Sequence, residues 1–368
     1  MTPFLRRCIA IGLAVVVGLV MARPGMAQEG FDHAGLARRT LEDHIRPGYA
    51  RLSAATATLA QALTQFCDGT SGADRSVVVT AFDGVVTAWG RIEHIDFGPI
   101  TSDNRRERFY YWPDRRGIGA QQVAKALRSG DETVTDPERL IGKSVALQGL
   151  GALEAILFSD PAAHRPGSHA CRFSRAVAGA VDRLVKAVVG EWSDPQGFAA
   201  RWLAPGPGNA VYLKPAETTL ALAKAYDRGI ERIRDTRIAG PLGFTPQQRK
   251  SPPPLLPSGR SMLLVTANIQ GIIDLVERGG IGAAIVASDV AGKDVAIRFG
   301  MELSVKELRT ALAVAEEIRG VKRPFEEAKA KQRMIAMGFP LKNARTQAVA
   351  LFERAAGLSL GFNASDGD

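Results

Sequence analysis

The chain has 368 residues and a formal net charge of +9 at pH 7, and its length suits two domains. Its basic residues are spread along the chain, and aromatic residues do not alternate with them in a repeated way, which argues against a nucleic-acid-binding protein. The charge instead indicates a solvated basic surface that would favour an anionic partner.

The first 27 residues have the pattern of an export signal. Arg6 and Arg7 precede an apolar stretch over 9–22, and Gly25-Met-Ala27 supplies the small residues that a signal peptidase recognises. The apolar stretch is short for a transmembrane helix, and no later stretch is long and apolar enough to be one. We therefore predict a periplasmic or cell-envelope protein whose mature chain (28–368) has a net charge of +6 and no transmembrane segment.

Two cysteines, Cys67 and Cys171, remain after the signal. In an oxidising compartment such a pair suggests one disulfide, and the alternative is two buried thiols. The chain contains neither Cys-x-x-Cys-His nor His-Glu-x-x-His, so we expect no covalent haem and no ordinary zinc-protease helix. A nucleotide cofactor is not expected either.

Two helices are predicted at the start of the mature chain. The first covers 31–67 and is interrupted at Pro47, because proline removes a backbone donor and kinks or restarts a helix. The kink would aim His44 differently from a straight helix, although a lone histidine beside a proline is more often structural than a ligand. The second helix covers 73–94 and ends near three potential metal ligands, Glu93, His94 and Asp96.

The predicted loop over 101–119 is dense in aromatic and arginine side chains. It contains Arg108 and the segment Trp112-Pro-Asp114. Such a loop either lines a pocket or seals a contact between domains. Ordinary loop packing is the competing explanation.

A short helix is predicted over 120–128, and a central helix is predicted to begin at Asp136-Pro-Glu138, since proline is tolerated in a first turn. Over 145–158 this helix has an apolar stripe and contains Gly149, Gly151 and Glu154. The two glycines would let another backbone or a ligand approach closely, and a carboxylate beside a buried stripe needs a partner. A tight helix crossing with Glu154 in a structural ion pair is the alternative.

The remaining predicted helices cover 171–189, 217–237, 258–276, 293–319, 324–337 and 342–356. The cluster Ala204-Pro-Gly-Pro-Gly208 is a candidate domain boundary. Ser258-Gly-Arg-Ser261 begins one helix, where serine side chains cap free N–H groups and favour a nearby anion. Asp366, in the acidic tail, could face a site or belong to a frayed terminus.

The chain resembles the imelysin-like family of bacterial cell-envelope proteins. The family's Gly-x-His-x-x-Glu motif corresponds to Gly149-Leu-Gly151-Ala-Leu-Glu154, with the histidine replaced by Gly151. Three further segments are similar to those of the family: His44-x-x-Pro-x-Tyr49, Trp112-Pro-Asp114, and the ending Gly-Phe-Asn…Asp-Gly-Asp368. The resemblance implies two packed helical bundles, and we expect an all-α fold with lobes at 28–205 and 206–368.

The resemblance implies either a peptidase or an iron-regulated envelope protein, and both interpretations rely on the His-x-x-Glu pair as metal ligands. Because that pair is broken, we expect a metal-binding accessory, with iron first and zinc second, rather than a metallopeptidase. A non-enzymatic module that binds a small anion or an acidic partner is the third hypothesis. The predicted metal ligands are His44, Glu93 and Glu154. The other predicted site residues are Arg108, as the charge partner of Glu154, and Gly149, Gly151, Trp112, Asp114, Ser258, Ser261 and Asp366.

Overall fold

The structure, a computed structural model, describes residues 30–69, 74–114, 116–243 and 251–358. Within these ranges the chain forms helices and turns and no strand. The predicted all-α class is therefore confirmed. None of the helices in the described ranges combines the length and apolar character that crossing a bilayer requires.

The first half of the chain contributes nine helices to the described residues. They are α1 (His33–Thr40), α2 (Arg46–Cys67), α3 (Arg75–Gly90), α4 (Arg105–Phe109), α5 (Ile118–Ser129), α6 (Pro137–Ile141), α7 (Gly149–Phe158), α8 (His169–Ser193) and α9 (Phe198–Leu203). A π-helical turn at Leu41–Ile45 joins α1 to α2. Side chains cap some of the helices, as at α3, where the Asp74 carboxylate accepts from two backbone N–H groups of the first turn.

The second half of the chain is also helical. Its helices are α10 (Pro215–Glu231), α11 (Gly240–Leu242), α12 (Ser261–Glu277), α13 (Ile281–Val286), α14 (Asp289–Lys293), α15 (Val295–Glu317) and α16 (Ala328–Ala356). A π-helical segment, Arg232–Ala239, continues α10. In this half α15 packs along α16, whereas in the first half α2 packs against both α3 and α8.

The two halves meet through α12, which packs against both α3 and α15. Polar contacts cross the same contact surface: Arg91, just after α3, pairs with Asp274 of α12 at 2.5 Å. The close approach of α12 also depends on a glycine, because a Cβ at Gly90 would collide with Ala267. The predicted boundary near 205–206 remains a prediction.

The disulfide is present and joins Cys67, at the end of α2, to Cys171 in the first turn of α8, with 5.4 Å between the two Cα atoms. It closes a separation of 104 residues. The predicted pairing is confirmed, and it links two helices that also pack side by side.

Two helix predictions differ from the structure. The central helix begins at Gly149 and not near Asp136, because Gly149 has a φ of 72°, which separates α7 from the short turns before it. The last two predicted helices form the single helix α16, with Pro340 inside it. Met337, Pro340, Leu341 and Ala344 are all buried, so packing outweighs the cost of an internal proline.

Candidate functional site

Glu154 lies on α7 and is only 6% exposed. Its Oε1 accepts two hydrogen bonds from Ser258, one from the backbone N–H at 2.9 Å and one from the hydroxyl at 2.7 Å. Its Oε2 makes no hydrogen bond with any residue that the structure describes. Burial raises the pKa of Glu154 to about 7, and the Ser258 hydrogen bonds and the charge of Arg260 offset the effect only in part.

A cavity of about 240 Å³ lies beside Glu154. One wall is the irregular segment Tyr110–Asp114, another is α7, and a third is the proline-rich segment 251–260 that leads into α12. The cavity brings together four of the predicted site residues: Trp112, Asp114, Gly151 and Glu154. It also has lining residues that the sequence analysis did not select, among them Tyr110, Tyr111, Gly119, Gln148, Ser159, Pro252, Pro253, Leu255, Leu256 and Pro257.

The two glycines of α7 have different roles. A Cβ at Gly149 would overlap the carbonyl oxygens of Arg108 and Phe109, and the positive φ at this position also favours glycine. A Cβ at Gly151 would meet nothing nearer than the Tyr111 carbonyl oxygen at 4.0 Å. Gly149 therefore permits the close backbone approach that we expected, whereas Gly151 leaves open space at the cavity wall.

Asp114 lines the cavity, but its carboxylate is engaged by the protein itself. One oxygen accepts from the N–H of Ile118 at 2.9 Å and the other from the N–H of Gly119 at 2.7 Å. These bonds satisfy free donors in the first turn of α5. Asp114 thus shapes the cavity wall, and Glu154 is the carboxylate with a free oxygen.

The two predicted serines hold the segment before α12. Ser258 contacts Glu154, as described above, whereas the Ser261 hydroxyl donates to the Pro254 carbonyl oxygen. Between them, the Arg260 guanidinium pairs with Asp83 at 2.8 Å. Ser261 therefore stabilises the wall and does not line the cavity.

Arg108 is not the charge partner of Glu154, and this prediction is wrong. It lies on α4, donates to the Ile141 carbonyl oxygen at 2.8 Å and lines a separate cavity together with Gly149. The hydrogen-bonding partner of Glu154 is the neutral Ser258. Asp366, another predicted lining residue, lies outside the described residues.

Glu93 is buried in a network of arginines. Its Oε1 accepts from Arg237 at 2.7 Å and its Oε2 from Asn268 at 3.1 Å, and Arg106 lies 3.6 Å from Oε1. Burial alone would raise the pKa of Glu93, but the charges of Arg237 and Arg232 override it and hold the pKa at about 2. The carboxylate is the counter-ion of a fully buried arginine, since Arg237 is 0% exposed.

His44 forms a buried pair with His94, with 2.8 Å between the two Nε2 atoms. Burial lowers the pKa of His44 to about 4 and that of His94 well below its ordinary value. In this pair one imidazole donates and the other accepts, so both are neutral near pH 7. The Nδ1 atoms of both rings are buried and have no partner among the described residues.

The predicted metal ligands do not come together. In the described part of the chain, the potential ligand atoms of His44, Glu93 and Glu154 do not lie within 4.8 Å of one another. The group that does is Cys67, His164 and Cys171, and its sulfur atoms are joined in the disulfide. A resident metal at the three predicted residues does not fit this arrangement, because the arginines around Glu93 would repel a cation.

Sequence reasoning selected Ser258 but did not pair it with Glu154, and it did not select Arg237, because the partners are distant along the chain. Ser258 is 104 positions from Glu154, and Arg237 is 144 positions from Glu93. The prolines before α12 belong to no motif that the sequence analysis selected, yet they help to form one wall of the cavity. The signal available in the sequence was Leu255, an apolar residue among prolines. In the structure Leu255 is 2% exposed and has a φ of 50°.

The sequence matches the family model described as Imelysin over residues 45–337. None of the curated proteins matches the chain. The match runs from the start of α2 into the first part of α16 and includes α7 with Glu154.

Two crystal structures have similar folds. One is an imelysin-like protein from Psychrobacter arcticum 273-4, with a TM-score of 0.74 and 17% identity over 90% of this chain and 99% of that chain. The other is named as an iron-regulated protein A precursor from Parabacteroides distasonis ATCC 8503, with a TM-score of 0.67 and 13% identity over 87% of this chain and 95% of that chain. At these identities the likeness is one of fold.

Proposed function

The chain belongs to the imelysin family, and we propose that it is an exported binding protein that holds a cationic ligand at Glu154, with iron as the candidate cargo. The observation that carries this proposal is the free Oε2 of a buried carboxylate beside a cavity. An ionised carboxylate is costly at such a position without a partner. A cation that reached Oε2 would provide that partner.

The same geometry favours binding over peptide hydrolysis. A catalytic zinc site usually needs three protein ligands and one open position. Gly151 offers no ligand, Glu93 is held by Arg237, and the Nε2 of His44 faces His94. Glu154 is left as a single carboxylate ligand, so most of the coordination sphere of a bound metal would come from water or a chelator.

Two further observations support a role in iron handling at the cell envelope. Oxygen donors suit hard metal ions, and one protein of similar fold is named as iron-regulated. The basic residues and apolar stretch at the start of the sequence are typical of an export signal. A role as an accessory protein in metal uptake therefore agrees with both the site and the family.

The proposal is tested by titrating the purified protein with ferrous ion under anoxic conditions, ferric citrate and zinc ion. Calorimetry measures binding, and tryptophan fluorescence reports on the cavity because Trp112 lines it. We expect saturable binding of an iron species that Glu154→Gln abolishes and Glu302→Gln, on an exposed glutamate of α15, leaves unchanged.

The pH dependence gives an independent check. Since the pKa of Glu154 is about 7 and a cation binds the ionised form, affinity should rise from about pH 6 to about pH 8. The absence of metal binding by the wild type, or equal binding by the Glu154→Gln variant, would overturn the proposal. Chelator-sensitive cleavage of a protein substrate that is lost in Glu154→Gln would favour a peptidase instead.

A further inference from the structure

A second cavity, of about 290 Å³, is bordered by the same segment, Tyr110–Asp114, that borders the Glu154 cavity. Tyr110 and Trp112 line both cavities. The second cavity differs in its charged lining, which comes from α4, the end of α10 and the π-helical segment after it. Its lining residues are Glu93, Arg106, Tyr110, Trp112, Pro113, Arg228, Glu231, Arg232 and Thr236.

The two acidic residues of this lining are already paired with arginines outside it. Glu93 accepts from Arg237 at 2.7 Å, and Glu231 pairs with Arg345 at 3.2 Å. Among the lining arginines, Arg106 lies 3.6 Å from Glu93 and Arg232 lies 3.3 Å from Asp96, so both are only partly neutralised.

The three lining arginines have donors to spare. Arg228 is exposed, and its guanidinium makes no hydrogen bond or ion pair with any residue that the structure describes. Arg106 reaches Glu93 only at 3.4 and 3.6 Å, and Arg232 reaches its partners only at 3.3 and 3.4 Å. Because a guanidinium carries five N–H donors, most of these donors are unused.

Electrostatics point the same way. Burial, and after it the neighbouring charge of Arg106, lowers the pKa of Arg232 to about 10, and the charges of Glu93 and Asp96 offset only part of the effect. A bound anion would relieve this repulsion. In addition, the indole N–H of Trp112 is buried and has no partner among the described residues.

We propose that this arginine cavity binds a small polyanion that carries carboxylate or phosphate groups. Guanidinium groups bind both kinds of group through paired N–H···O bonds. The cavity is near the lower end of the range for small-molecule sites, which favours a compact ligand. This second site goes beyond the cation site at Glu154 and does not depend on it.

The test is calorimetric titration of the metal-free protein with citrate and, separately, with pyrophosphate at low ionic strength. The two probes distinguish a polycarboxylate from a phosphate ligand. We expect at least one to bind saturably, with an affinity that falls as salt is added. Arg228→Gln should weaken binding at least about tenfold, as the loss of a charge-assisted hydrogen bond predicts.

The matched control is Arg298→Gln, which removes the same charge from an exposed arginine of α15 that does not line the cavity. Its affinity should equal that of the wild type, and so should that of Glu154→Gln, because Glu154 lines the other cavity. Failure of both probes to bind would overturn the proposal. So would an affinity that falls equally in Arg228→Gln and Arg298→Gln, or one that depends on Glu154 and not on Arg228.

Discussion

Glu154 combines burial with incomplete hydrogen bonding, and its ionisation is therefore linked to folding. The pKa is about 7 in the folded chain against 4.5 for the free side chain. The folded state thus holds the proton more tightly than the unfolded state. Compared with a side chain that stays neutral, Glu154 does not change the free energy of unfolding below about pH 4.5. As the pH rises towards 7 it lowers this free energy increasingly, and above pH 7 the loss is about 3 kcal/mol.

We predict that Glu154→Gln stabilises the ligand-free protein at about pH 8 and has little effect near pH 4.5. Glutamine keeps an oxygen that accepts from Ser258 but never acquires a charge. Urea unfolding of wild type and variant at several pH values measures the difference, in which contributions from other groups cancel. A difference that does not change with pH would mean that the Glu154 pKa is not raised.

Glu93 is predicted to behave in the opposite way. Glu93→Gln should destabilise the protein by about 3–5 kcal/mol, because the fully buried Arg237 would lose its counter-ion. Chemical denaturation at pH 7 measures this change, with the exposed Glu302→Gln expected within about 0.5 kcal/mol of wild type. A small effect would show that Asn268 and the Trp112 ring, 5.4 Å from the guanidinium, suffice to hold Arg237.

At the scale of the element, α7 is positioned by the glycine at its start. Gly149→Ala should destabilise the protein by about 2 kcal/mol or more, since alanine would be strained at a positive φ and would press on the α4 backbone. Gly151→Ala should be neutral or stabilising by up to about 1 kcal/mol, because this position is helical and open. The two variants make the same chemical change on one helix, and thermal denaturation compares them directly.

Equal destabilisation by both alanines would contradict this assignment. It would indicate that Gly151 also makes a close contact. Nearly neutral effects of both would mean instead that α4 and α7 can move apart at little cost.

At the scale of the whole molecule, the disulfide joins α2 to α8 across 104 residues. Replacing both cysteines by alanine should lower the free energy of unfolding by about 4–5 kcal/mol, mainly because the unfolded chain gains freedom. Denaturation with and without a reductant tests this, since the wild type should respond to the reductant and the variant should not. An equal response of the two proteins would assign the effect to another part of the chain.

The helical class, the Cys67–Cys171 pairing and the burial of Glu154 could be predicted from the sequence. Each depends on local spacing or on residue count: apolar residues recur at helical intervals, and two cysteines in an oxidising compartment can pair in one way. The close approach at Gly149 was also predictable, because a glycine inside a predicted helix with an apolar stripe lets another backbone come near.

The surroundings of the predicted ligands were decided by the tertiary structure alone. Neither Ser258 as the partner of Glu154 nor Arg237 as the partner of Glu93 could be deduced, since each pair is separated by more than a hundred residues. Helical periodicity specifies which face of a helix is buried but not which distant element covers it. For this reason the sequence alone determined that Glu154 lies against the core, and only the packing of α7 against the segment before α12 decided that its neighbour is a serine hydroxyl and that one of its oxygens stays free.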